Sequence, residues 1–177
     1  RKESSAASDV YKRQVFCSNI SVGLSNITLV TRLHNSAFYD SLTKLPNRTR
    51  LKEIIDDSLS SSKELPSTLA LIDIDHFAET NDTLGHQFGD LLLLSVATRL
   101  QSRLGDRLIV SRVGGDTFGV LGDDSQVNPA AVLAQFERPF SIDGQDVQLS
   151  ATVGLVRLSE HEGRGVEALK NAHIALK

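Results

Sequence analysis

A pair of glycines followed by an acid, set between two short apolar runs, constrains this chain more than any other stretch. Leu108-Ile109-Val110 and Phe118-Gly119-Val120-Leu121 have strand character, and Arg112-Val113-Gly114-Gly115-Asp116-Thr117 joins them as a turn. Glycines at that point let the backbone take positive φ and let a ligand come close to the main chain. Asp116 is thereby predicted at the tip, facing whatever docks.

A second acidic cluster gives the first one meaning. Thr68 to Ile72 has the length and composition of a buried strand, and it runs straight into Asp73-Ile74-Asp75. The two-residue period of a strand puts Asp73 and Asp75 on one face. Hard oxygen ligands from two strand ends suit Mg²⁺, which leaves most of its shell to water and substrate phosphates, so a nucleoside triphosphate site is a candidate. Taken alone, the same aspartates also fit ordinary strand-end and turn residues, with Asp75 as a cap for the next helix.

The rest alternates helices and strands. Leu51, Ile54, Ile55 and Leu59 form one helical stripe after a start at Asn47, and Leu93, Val96, Ala97, Leu100 and Leu104 form another. An Asp143-Gly144 turn followed by alternation through Leu149, Ala151, Val153 and Leu155 reads as a hairpin feeding a half-buried strand. The fold class is α/β, a mixed central sheet flanked by helices. Ahead of it, Ile20, Leu24, Ile27, Val30 and Leu33 recur at helical steps within residues 15–39, either as a signalling or dimer helix or as one packed on its own domain.

Composition narrows the class. With 19 basic and 22 acidic residues, net charge −3, the chain has no electrostatic footprint for nucleic-acid polymers or anionic membranes. The single cysteine, Cys17, excludes an internal disulfide and fits a reducing, cytoplasmic setting. There is no methionine, so the chain reads as a fragment, with residues 1–14 as a polar leader outside the fold. No apolar run approaches the ~20 residues of a membrane span, which places any sensor or membrane segment upstream.

Four motifs occur in one order: Asp40-Ser-Leu-Thr-Lys-Leu-Pro-Asn-Arg48, Asp73-Ile-Asp-His-Phe77, Asn81-Asp82-Thr-Leu-Gly85-His86-Gln-Phe-Gly89-Asp90 and Gly114-Gly-Asp-Thr-Phe118. Together they resemble the GGDEF family of diguanylate cyclases, over about Phe38 to Lys177. The resemblance implies a nucleotidyl-cyclase arrangement related to the polymerase palm, here a domain over residues 40–177 whose terminal helix is cut short. It implies that Asp73, the carbonyl of Ile74 and Asp116 hold Mg²⁺ or Mn²⁺, with Asp73 and Asp116 as the catalytic acids. It implies that Asn81 and Asp90 read the guanine of GTP, that the amides of His76 and Phe77 meet its phosphates, and that Gly114 and Gly115 let it approach. Its partners would be GTP, a second copy of the chain when active, an upstream sensor and a downstream EAL-type phosphodiesterase domain, the last suggested by Pro139-Phe140-Ser-Ile-Asp-Gly.

The departures bear on activity. Thr117 stands where the family has a glutamate, and Ala78 where it has a phosphate-contacting lysine. Removing one preorganised electrostatic group costs on the order of a hundred- to a thousandfold in rate. Gly105 and Leu108 occupy the product-inhibition positions, so no inhibitory site is expected, and Arg103 with Asp106 reads as a helix-end ion pair. His86, with no second His or Cys at ligand spacing, reads as structural or capping. Three functions stay open: a degenerate GTP-binding regulatory domain, an active cyclase joining two GTP into cyclic di-GMP and pyrophosphate, and a dimerisation module with an empty site.

Overall fold

The structure is a computed structural model that describes residues 30–60, 67–104, 106, 108–160 and 165–176. The readings at residues 1–14, Cys17, Ile20, Leu24, Ile27, Gly105 and Lys177 lie outside the described residues. The chain divides into two compact units, Arg1–Ala37 and Phe38–Lys177. Residues 30–37 of the first unit are helical (α1), and their Val30 and Leu33 side chains are exposed.

The second unit continues with α2 (Arg48–Ser60), β1 (Thr68–Ile74), α3 (Phe77–Leu84), α4 (His86–Leu104), β2 (Ile109–Gly114) and β3 (Thr117–Gly122). Then follow α5 (Pro129–Leu133), β4 (Phe140–Ile142), β5 (Gln145–Val147), β6 (Ala151–Arg157) and α6 (Gly165–Ala175). The main sheet has the order β2-β3-β1-β6, and each neighbouring pair is antiparallel. A parallel contact joins it as the isolated bridge Asn47↔Arg112.

Alternation along β1 divides the core. Ala70, Ile72 and Ile74 face one way, with Val110, Phe118 and Val120, onto Leu92, Leu93, Val96 and Leu100 of α4. Leu69 and Leu71 face the other, with Leu121 and Val156, onto Leu51 and Ile55 of α2 and Ala168, Leu169 and Ala172 of α6. Each fully buried Leu or Ile contributes about 1.5–3 kcal/mol, so Leu51 and Ile55 of α2 and Leu93, Val96, Ala97 and Leu100 of α4 are core positions of their stripes. At Gly154 α6 lies against the sheet itself, since a Cβ there would sit 2.7 Å from the Ala172 carbonyl oxygen.

Local signals set the boundaries. Asn47 caps α2, its Oδ1 accepting the Arg50 amide at 3.0 Å. Asp143 and Gly144 both take positive φ (50° and 80°), the geometry a two-residue hairpin requires, and they join β4 to β5. His86 is the exposed first residue of α4. The ion pair expected between Arg103 and Asp106 is not among those formed by the described residues. Asp75 does not cap α3 either. The cap position is His76, without a side-chain bond, because Asp75 still follows the sheet: its amide donates to Ser150 O at 3.0 Å and its Oδ1 accepts from Thr152 Oγ1 at 2.8 Å.

Candidate functional site

The strand register assembles the acids. Asp73, near the end of β1, lies opposite Thr117, the first residue of β3. Gly114 pairs with Thr117, leaving Gly115 and Asp116 as the two residues of the turn, with Gly115 at φ 46°. The Ile74 amide donates to the Asp116 carbonyl at 3.4 Å, which ties the turn to the end of β1 and brings Asp73, Ile74 and Asp116 to one place. Burial pushes the Asp116 carboxyl above its ordinary pKa and the charge of Asp73 adds to this; a backbone hydrogen bond and Arg112 oppose without cancelling. A carboxyl whose ionisation is opposed by burial and by a neighbouring acid makes a place where a cation is favoured.

Thr117 changes that place. Its Oγ1 donates to Asp73 Oδ1 at 2.9 Å, so a neutral hydroxyl occupies one Asp73 oxygen where a carboxylate would add a third negative charge. Among the described residues no group of three or more His, Cys, Asp or Glu side chains could hold a metal ion. The remaining donors, two carboxylates and the Ile74 carbonyl, are all hard oxygens. They fit Mg²⁺ or Mn²⁺ when water and phosphate complete the shell.

A clamp behind the turn was not legible in the sequence. Arg112 donates from Nε and Nη2 to the Gly115 carbonyl at 3.0 and 2.7 Å, and from Nη1 to Asp40 Oδ1 at 2.9 Å. Asp40 also accepts the Thr43 amide at 2.8 Å and the Thr43 hydroxyl at 2.7 Å. Burial pushes the Asp40 carboxyl up, but Thr43 and Arg112 together outweigh it and hold the pKa below its ordinary value. The Asp40–Arg48 motif is therefore a brace for the glycine turn. The one available signal was an arginine two residues before Gly114.

Beyond β1 the chain enters α3 through His76 in the left-handed region (φ 56°), which places the His76 and Phe77 amides at the helix start. The His76 imidazole turns to its own helix: Nδ1 lies 3.0 Å from Glu79 Oε1, and that bond raises the histidine pKa. Gly85, at φ 89°, lies between α3 and α4, and Asn81 of α3 packs on Gly89 of α4. Asn81 Oδ1 is buried and has no hydrogen-bond partner among the described residues. It rests on Gly89, where an added Cβ would overlap Oδ1 and lie 2.9 Å from Cγ. Asp90, next in sequence, is exposed. A buried acceptor left unpaired costs about 1–3 kcal/mol, so Asn81 carries an unmet hydrogen-bonding capacity where it packs on Gly89.

The family model "Diguanylate cyclase, GGDEF domain" matches residues 37–177. The chain belongs to the GGDEF family. It is 40% identical over 152 residues to the cyclic di-GMP phosphodiesterase NbdA of Pseudomonas aeruginosa, covering 81% of this chain and 19% of that protein. It is 35% identical over 153 residues to the diguanylate cyclase TpbB of the same species, covering 81% of this chain and 35% of TpbB. The structure of the TpbB GGDEF domain superposes with a TM-score of 0.68 at 34% identity, covering 78% of this chain and 86% of that one. The chain thus spans about a fifth to a third of these curated relatives. The GGDEF domain carries the nucleotidyl-cyclase, palm-like fold, and the relatives belong by their names to cyclic di-GMP signalling.

Proposed function

We propose that this GGDEF domain is a regulatory module that binds GTP with a divalent cation and has lost efficient turnover. The observation that carries the reading is the orphaned Asn81 Oδ1 over Gly89, the residue before Asp90. An acceptor and a carboxylate close together match the N1–H and N2–H donors of guanine, whereas the Watson–Crick edge of adenine offers an acceptor at N1. Asp73, Ile74 and Asp116 would hold the cation, which polarises phosphoryl oxygens when bound. The His76 and Phe77 amides would meet the phosphates at the α3 N-terminus, and Gly114 and Gly115 leave room for them.

Loss of turnover follows from two substitutions. Thr117 supplies a hydrogen bond to Asp73 in place of a charge, and Ala78, exposed on the first turn of α3, supplies no cation to phosphate. Asp73 and Asp116 remain as the acids of the active members. Titration of the chain with GTP and with ATP in Mg²⁺ tests the reading: saturable binding of GTP alone is expected, and equal or absent binding of the two nucleotides rejects it.

The wider architecture is part of the same proposal. Residues 15–39 form the connection to an upstream sensor, and exposed Val30 and Leu33 on α1 suit a second copy of the helix. A downstream EAL-type domain is supported by the kinship with NbdA, a phosphodiesterase by name. Among the described residues no helix is long and apolar enough to cross a membrane.

A further inference from the structure

On the α2 and α6 side of the sheet, a cavity of about 180 Å³ opens between the start of α2 and the outer face of α6. Its floor is apolar, made by Leu71 of β1, Val113 of β2 and Leu169 of α6. Its rim is basic: Arg48 and Lys170 carry the positive charge and His173 stands beside them, all exposed. Among the described residues no carboxylate lines it. Asp56 and Glu167 line a separate cavity with Lys52. The neighbouring cations of α2 have acidic partners, Arg50 with Glu53 at 3.1 Å and Lys52 with Asp56 at 2.7 Å, whereas Arg48, Lys170 and His173 enter no ion pair among the described residues.

The backbone adds to this field. Arg48 is the first residue of a 13-residue helix whose first turn contains no acid, so a fixed positive charge sits at the positive end of the helix dipole. In a chain of net charge −3, two cations, a histidine and a helix N-terminus converge on one apolar-floored cavity, with no compensating acid among the described residues that line it. That arrangement is repulsive until an anion enters.

We propose that this cavity binds a small organic anion, with the charged head held by Arg48, Lys170 and His173 and an apolar body on Leu71, Val113 and Leu169. The volume, about six waters at ~30 Å³ each, takes a ring or short chain with one head group, which favours a small molecule over a nucleotide. The head is a phosphate or a carboxylate, since both answer the same cations. The site is separate from Asn81 and Asp90 and does not depend on the guanine reading.

Calorimetric titration of the full chain in EDTA-containing buffer tests this, with phenyl phosphate, benzoate and inorganic phosphate as probes. Without a cation, the acids Asp73 and Asp116 repel all three. Saturable binding of phenyl phosphate or benzoate is expected, the better of the two naming the head group, with inorganic phosphate about tenfold weaker for want of an apolar body. Lys170→Glu and Arg48→Gln, both at exposed positions, should each weaken that binding by about tenfold or more, and Asn81→Ala should leave it unchanged. Absence of saturable binding by every probe, or binding indifferent to both charge changes, overturns the proposal.

Discussion

Replacing Thr117 by glutamate restores the missing carboxylate, and in the absence of a cation it should destabilise the fold. The hydroxyl that donates to Asp73 Oδ1 at 2.9 Å is lost, and a hydrogen bond to a charged acceptor contributes about 1.5–3 kcal/mol. The new carboxylate lies opposite Asp73 in the ladder, beside Asp116, whose ionisation Asp73 already opposes. Two like charges at ~4 Å repel by about 4 kcal/mol at an effective dielectric of 20, and the half-exposure of this strand end screens part of that. A net loss of about 2–4 kcal/mol follows, which for 177 residues is about 5–15 °C in Tm. Thr117→Val, which removes the hydrogen bond without adding charge, should lose less. Millimolar Mg²⁺ should recover most of the deficit in the glutamate variant and little in the valine variant. Thermal unfolding with and without Mg²⁺ is the assay. A glutamate variant as stable as the parent in EDTA, or one that Mg²⁺ does not rescue, would refute the reasoning.

Asp116→Asn should act in the opposite sense on stability. Because the folded pKa of Asp116 is raised, the penalty is absent at acid pH, sets in as pH rises past the ordinary carboxylate value and is complete above the folded value; the variant should melt higher than the parent at neutral pH in EDTA and equal it in acid. It should also lose its Mg²⁺-dependent rise in Tm. Gly89→Ala forces a Cβ into Asn81 and should lower GTP affinity about tenfold or more, read by titration, with an overpacking cost of about 1–3 kcal/mol in denaturant. Arg112→Ala removes the brace between Asp40 and the Gly115 carbonyl and should lower the urea midpoint by the equivalent of about 3 kcal/mol. The Asp40 pKa is lowered in the fold, so the stability it lends is present above the ordinary carboxylate range and fades as pH falls through the folded value; the gap between parent and Arg112→Ala should therefore narrow in acid to what the Gly115 carbonyl bonds contribute.

The features that depend on period or turn chemistry were legible in the sequence. The stripes of α2 and α4, the Asn47 cap and the Asp143-Gly144 hairpin each follow from residues within one or two turns of chain. The placement of Asn81 near Asp90 was legible because nine residues containing Gly85 must double back to put both in one motif. Contacts set by register were not. Thr117 meets Asp73 across 44 residues, and Arg112 meets Asp40 across 72, through pairings that only the folded sheet and its flanking loop define. Asp75 looked like a cap because a strand-end aspartate before a helix usually is one, but its amide remained bonded to Ser150 and drew the side chain to Thr152. The cationic cavity escaped notice because Arg48 and Lys170 lie 122 positions apart in sequence, and only the packing of α2 and α6 on the same sheet face unites them.

The most direct measurement incubates the chain with GTP and Mg²⁺ at concentrations that saturate binding and resolves the nucleotides by chromatography. Retained recognition without efficient turnover predicts GTP recovered intact from the protein, with no accumulation of cyclic di-GMP. Cyclic di-GMP and pyrophosphate accumulating in step with GTP loss would contradict the account and make Asp73, Asp116 and the Thr117 hydroxyl a sufficient catalytic set.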